Sequence, residues 1–161
     1  MKKILTSVRK VRFQDCDPFN HLNNAKYIDY FINAREDQLL ENYGLDIFEI
    51  ANKQGLSWVV ASNQICYLKP ALTMESVLIE SQLIVHSPKS LMVEMRMWDE
   101  QQTALKAILW TNFIHVDLKT QRPVNHSPEF SQLFADIVSP IEQSSFDERK
   151  MYLLRQRKGE K

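Results

Sequence analysis

Asp15, Asp17 and His21 lie close together in the run Arg12-Phe13-Gln14-Asp15-Cys16-Asp17-Pro18-Phe19-Asn20-His21-Leu22-Asn23-Asn24-Ala25-Lys26-Tyr27. Pro18 locks its own φ and biases Asp17 toward extended backbone. One carboxylate is thereby held near the point where a helix begins. The unpaired N–H groups and partial positive charge of a helix N-terminus can polarise a carbonyl or stabilise an oxyanion. A carboxylate beside such a site is a minimal apparatus for breaking an ester-like bond.

Each of these residues also has a plainer reading. Asp17 could close an Asx-turn on local backbone. Asp15 reads as structural, binding N–H groups of the loop. His21 could orient water or substrate, or simply hydrogen-bond the loop. Asn23 suits a helix cap better than a catalyst. The D-x-D-x₃-H spacing offers hard ligands, but Phe19 stands where a calcium loop needs an oxygen, so no metal is expected. Cys16 sits beside acids, which disfavours a thiolate nucleophile. No serine lies in a G-x-S-x-G elbow.

The 161 residues carry a formal net charge of +0, and nothing suggests nucleic acid as a partner. With 3 glycines the chain holds neither G-x-G-x-x-G nor a Walker sequence. Cys16 and Cys66 lack metal or disulfide spacing and read as reduced thiols. Arg9 and Lys10 interrupt the N-terminus before an apolar h-region forms. No stretch is apolar enough to cross a bilayer. These features predict a soluble cytoplasmic protein with no membrane partner.

The elements that must hold the loop follow from periodicity. Val8 to Phe13 reads as a strand. A helix is expected from Asn23 or Asn24 to about Tyr43, with Gly44 as its stop. Its apolar residues cover most of the circumference, so it should be mostly enclosed. A shorter helix is expected over 47–53. Strands follow at Trp58 to Leu68, at Val77 to Val85 with alternate residues on one apolar face, and at Leu91 to Met97 with Glu94 and Arg96 facing the other way. His86 to Ser90 reads as a hairpin loop. Leu105 to Val116 is a further strand, and Ser127-Pro128 begins a helix through Ile137. Adjacent strands on short loops pair antiparallel. The fold class is α+β, one antiparallel sheet wrapped around one long helix. After Pro140 the chain is polar, and a frayed helix or disorder is expected.

Asp15-Cys16-Asp17-Pro18, then His21-Leu22-Asn23-Asn24-Ala25-Lys26-Tyr27, then Ala34-Arg35 in the helix, resemble the 4-hydroxybenzoyl-CoA thioesterase family of hot-dog folds. His-Leu-Asn-Asn-x-x-Tyr is also similar to acyl-ACP thioesterases of the same fold. Tyr67-Leu68-Lys69-Pro70 and the strand ladder fit the template, and the resemblance covers about residues 5–125. It implies a hot-dog thioesterase domain, placed here at 1–138 with 139–161 as a polar tail. It implies a homodimer joined edge to edge, active sites at the dimer interface, and dimers pairing into a homotetramer. It implies hydrolysis of an acyl-CoA substrate with no metal and no cofactor. By position, Asp17 would be the catalytic carboxylate, as nucleophile or as general base. The Asn24 N–H would polarise the thioester carbonyl, with His21 as a further catalytic candidate. Tyr27 falls at an aromatic position near the acyl pocket. Lys69, Lys89 and Ser90 become candidates for coenzyme A contacts. Asn20 stands where many members have glycine, and asparagine tolerates left-handed φ better than most residues. Two alternatives stay open: a non-catalytic hot-dog module that binds acyl chains or a partner protein, and a thioesterase acting on acyl-ACP.

Overall fold

The computed structural model describes residues 1–159, with side chains through residue 156; the last two residues of the polar tail lie outside the described residues. The chain runs β1 (Ile4–Lys10), α1 (Tyr27–Tyr43), α2 (Ile47–Gln54), β2 (Leu56–Tyr67), β3 (Ser76–His86), β4 (Ser90–Asp99), β5 (Leu105–Asp117), β6 (Arg122–Pro123), α3 (Pro128–Ile137) and α4 (Phe146–Gly159). The sheet order is β1-β3-β4-β5-β2, all antiparallel, with β6 pairing the end of β5. The inner face carries Val77, Ile79, Leu83, Val93, Met95, Met97 and Leu109, packed on Tyr27, Phe31 and Ala34 of α1 and on Phe134 and Ile137 of α3.

Local signals set the helix ends where expected. The Asn23 side chain accepts from Ala25 N, and a 3₁₀ turn over Asn24–Lys26 leads into α1. Gly44 and Gly55 close α1 and α2 in the left-handed region, at φ 64° and 66°. Ser127 caps α3, with Pro128 in its first turn.

Three expectations need correction. β1 starts earlier than Val8 and ends at Lys10, because its ladder stops where Ser76 begins β3; Phe13 lies beyond it in a 3₁₀ turn and is 73% exposed. The alternation in β3 fails at Val85, which is 57% exposed. A register shift between Leu83 and Val85 spends Ile84 as an extra residue and moves Val85 to the other face. Finally, α1 is enclosed on one side only: Tyr27, Phe31, Ala34, Arg35 and Gln38 are buried, while Asp29, Asn33, Glu36 and Leu40 are exposed. One sheet covers one face of a helix, so its remaining apolar surface is open in a single chain.

The outer face of the sheet is charged yet buried. Glu94 and Arg96 do point away from Met95, but they are 0% and 5% exposed. The polar segment after Pro140 carries α4 across this face. Burial alone would push the Glu94 carboxyl up. Bonds from Arg149, with the charges of Arg96 and Arg149 and a bond from Trp110, outweigh it and hold the group below the usual carboxylate range.

At the other end of the core, Trp58 Nε1 donates to His126 Nε2 at 3.0 Å. Trp58 can only donate, so Nε2 is unprotonated, and His126 Nδ1–H donates to Ser87 O at 3.1 Å. Burial, aided by His115 and His86 and opposed by the Ser87 bond, lowers the His126 pKa from 6.5 to about 4. Between those values the unfolded chain takes up a proton that the folded protein refuses. Stability should therefore fall as pH drops from 6.5 to 4, by no more than about 3 kcal/mol, and His126 should add no further slope below that. Urea titrations across this window, compared with His126→Gln, check it; the variant should show a visibly shallower decline.

Candidate active site

Pro18 and the turn after it fold the Asp17 carboxylate back on its own loop. Asp17 Oδ1 accepts from the backbone N–H of Phe19 at 2.9 Å and of His21 at 3.1 Å. Asp17 N donates to His21 O at 2.8 Å, and Asn20 N to Asp17 O at 3.0 Å. This turn needs a left-handed residue, and Asn20 supplies it at φ 61°. The Asx-turn reading of Asp17 is thus correct for one oxygen. The other, Oδ2, has no protein partner among the described residues and stays available for chemistry.

Tertiary bonds fix the loop against the rest of the fold. Leu22 N donates to Ala71 O (2.8 Å), Thr73 N to Asn20 O (2.9 Å), and Asn23 N to Asp15 O (2.9 Å). The Asp15 carboxylate does not bind loop N–H groups as expected. It accepts from the Tyr30 hydroxyl at 2.6 Å, and that hydroxyl accepts from Arg12 N at 3.0 Å. Burial first, then the neighbouring Asp15 charge, push the Tyr30 phenol up to about 12, so it stays a donor at neutral pH. Tyr30→Phe should cost about 1–2 kcal/mol by orphaning Asp15, read as a lower urea midpoint at unchanged slope.

Asp17, His21, Asn24, Tyr27 and Tyr67 come together around a cleft of about 210 Å³ that Lys69 and Pro70 complete. Asn24 opens the 3₁₀ turn ahead of α1, where its N–H has no preceding helical carbonyl to bond. Tyr27 is buried; its hydroxyl accepts from Ala71 N at 3.2 Å and its ring meets Tyr67 edge-on at 5.0 Å. Tyr67 is a wall residue to which its place in the sequence gave no role: its hydroxyl donates to Asn24 O at 3.0 Å and steadies the helix start. The only local sign was its position just before the Lys69-Pro70 strand stop.

Lys89 and Ser90 are not part of this cleft in one chain. Ser90 pairs with Ile114 on β5, whereas Tyr67 pairs with Ala107 on the same strand. Seven residues of extended strand separate them by about 23 Å.

A curled antiparallel sheet packed on one long helix, with an acidic loop at the helix start, defines a hot-dog thioesterase. The thioesterase-like superfamily matches residues 11–134, and the chain belongs to it. It is 30% identical over 129 residues to the long-chain acyl-CoA thioesterase FadM of Escherichia coli (strain K12), covering 80% of this chain and 96% of that protein. The crystal structure of YbaW from Escherichia coli superposes with a TM-score of 0.71 at 29% identity, over 84% of this chain and 99% of that one. DHNA-CoA thioesterase from Staphylococcus aureus shares the fold at a TM-score of 0.76 and 18% identity, over 83% and 90%. The chain is a thioester hydrolase. No described helix is long and apolar enough to cross a membrane.

Proposed function

We propose that the chain hydrolyses an acyl-coenzyme A thioester in the Asp17 cleft, using Asp17 as general base or nucleophile and needing no metal or cofactor. The observation that carries this is the split role of Asp17: Oδ1 is tied to two N–H groups while Oδ2 is unengaged beside the helix start. As a base, Oδ2 takes a proton from water as its oxygen bonds to the thioester carbon. The carbon–sulfur bond then breaks, and the coenzyme A thiolate leaves and is protonated. As a nucleophile, Oδ2 bonds to that carbon first, and water then cleaves the mixed anhydride. In either route the Asn24 N–H faces the developing oxyanion, and His21, on the cleft wall, helps to place water or substrate. Label from H₂¹⁸O found in Asp17 after a single turnover supports the anhydride; label in the released acid alone supports direct attack.

The same reading makes the chain a cytoplasmic homodimer. β2 is a sheet edge: β5 pairs one side of it, no strand among the described residues pairs the other, and its residues Val59 to Gln64 are exposed. A long unpaired edge, with its row of open N–H and C=O groups, favours pairing with a second copy. Antiparallel pairing of β2 about its middle carries Lys89 and Ser90 of one chain toward the other chain's cleft, where they would meet coenzyme A. Pairing of dimers into tetramers would have to use surface that α4 leaves open. Thiol release from a panel of acyl-CoA substrates, against matched acyl-ACP, tests the reading. Release at comparable or higher kcat/KM from coenzyme A supports it, and binding without release overturns it in favour of a non-catalytic module.

A further inference from the structure

On the outer face of the sheet, Val85, Met92 and Asn112 stand side by side on three neighbouring strands, because Val85 pairs with Met92 and Met92 with Asn112. The bulge at Ile84 is what turns Val85 to this face. Residues 139–144 pass over this platform and leave a cavity of about 390 Å³, walled by Pro140, Ile141, Gln143 and Ser144 and rimmed by Ser90. The roof is fixed at both ends. Ser139 N donates to Leu83 O at 2.8 Å and Ser139 O accepts from Gln82 Nε2 at 2.9 Å, while Gln143 Oε1 accepts from Arg149 Nη1 at 3.0 Å. These roof residues lie beyond the family match, 11–134, so the pocket depends on a segment that the match does not cover.

The floor is mainly apolar, with Ile84 and Trp110 beside Val85 and Met92, and neighbouring strands present it as a flat surface that suits the face of a planar ring. No described acid or base lines the pocket; its polar groups are amides and hydroxyls. The Asn112 side chain makes no hydrogen bond among the described residues, so it offers both a donor and an acceptor. Gln143 has its oxygen engaged by Arg149, and its NH₂ group is open among the described residues. An open side-chain amide bonds adenine through N6 and N7, whereas guanine calls for Arg or Lys.

In the β2 dimer, Ser90 stands three strand spacings, about 14 Å, from the partner's β2. A thioester held in the partner's cleft directs its coenzyme A toward the hairpin over 87–90, and the pocket opens directly behind Ser90. Lys89, in that hairpin, is exposed and forms no ion pair among the described residues, so its ammonium is open to a phosphate. We propose that this pocket binds the adenine of the acyl-coenzyme A held in the partner's cleft, with Asn112 reading the adenine edge. The inference rests on the thioesterase reading and on the β2 dimer.

The test compares two thioesters of one acyl group, on coenzyme A and on pantetheine, which lacks the adenine nucleotide. The wild-type dimer should favour the coenzyme A thioester by about tenfold or more in kcat/KM, and Asn112→Leu should lower that ratio about tenfold, through KM. Val85→Trp, at an exposed position on the floor, should fill the pocket and lower the ratio likewise, so the test stands even if Asn112→Leu does not fold. A wild-type enzyme that treats the two thioesters alike overturns the proposal. An unchanged ratio in either folded variant overturns it as well, and so does an equal loss on both thioesters. Release from the pantetheine thioester upholds the thioesterase reading whatever the ratio shows. Release from neither thioester by a folded dimer defeats that reading, and the proposal falls with it.

Discussion

Asp17→Asn is expected to lower kcat for acyl-CoA hydrolysis by about 10²-fold or more, because it removes the group proposed to take the proton or attack the carbon. This substitution isolates chemistry from folding. Asparagine keeps an oxygen at the Oδ1 position, so the N–H groups of Phe19 and His21 keep their acceptor. Only the unengaged Oδ2 is replaced by an amide that can neither accept a proton nor attack. The urea midpoint should stay within about 0.5 kcal/mol of wild type. Asp17→Ala would lose both functions and add about 1 kcal/mol of destabilisation from the opened turn. Thiol release together with urea titration on both variants separates the two effects. Near wild-type turnover by Asp17→Asn would show that the carboxylate does only structural work.

The largest stability effect is expected at Arg149. Its Nε and Nη2 grip the two oxygens of Glu94, each at 2.9 Å, and Nη1 donates to Gln143 Oε1 at 3.0 Å. Glu94 also accepts from Trp110 Nε1 at 2.8 Å and from Arg96, which in turn bonds Glu80 and Gln82. The four charges balance, two of each sign. Arg149→Leu leaves one carboxylate uncompensated in a fully buried position and should cost about 3–5 kcal/mol. Some of that cost is relieved if α4 lifts and lets water reach Glu94, so amide exchange in α4 should quicken more than in β4. Adding Glu94→Gln removes the orphaned charge while keeping an acceptor for Trp110. The double variant should recover at least about 1 kcal/mol relative to the sum of the singles, which a double-mutant cycle in urea reads directly. α4 lies beyond the residues matched by the family, 11–134, so this anchoring belongs to a part of the chain outside that match.

Much of the site was legible because its parts are near neighbours in the chain. Asp17, Asn20 and Asn23 make their turn and cap bonds within four residues, with Pro18 fixing the backbone between them, and such features follow from side-chain type and spacing. Gly44, Ser127 and Pro128 marked helix ends for the same reason. The Asp15 carboxylate was misread because its partner, Tyr30, comes from the far side of the loop, and a pattern of apolar residues cannot reveal a hydroxyl bond across it. Val85 was misplaced because a one-residue bulge inverts every later side chain, and a bulge depends on the register with the neighbouring strand.

By itself the sequence determined the acidic loop, the helix start behind it, the strand ladder and the motif that places the chain among hot-dog thioesterases. Local backbone chemistry and side-chain period are enough for those. Only the tertiary structure decided that one Asp17 oxygen is occupied and the other open, that Tyr67 steadies the helix start, and that Lys89 and Ser90 lie at the opposite end of the sheet. It alone showed that Glu94 and Arg96 are buried under α4, and that residues 139–144 roof a pocket over Val85, Met92 and Asn112. Each of these depends on groups distant in sequence meeting in space, where burial sets the cost of a charge and the identity of its neighbour decides whether that cost is offset.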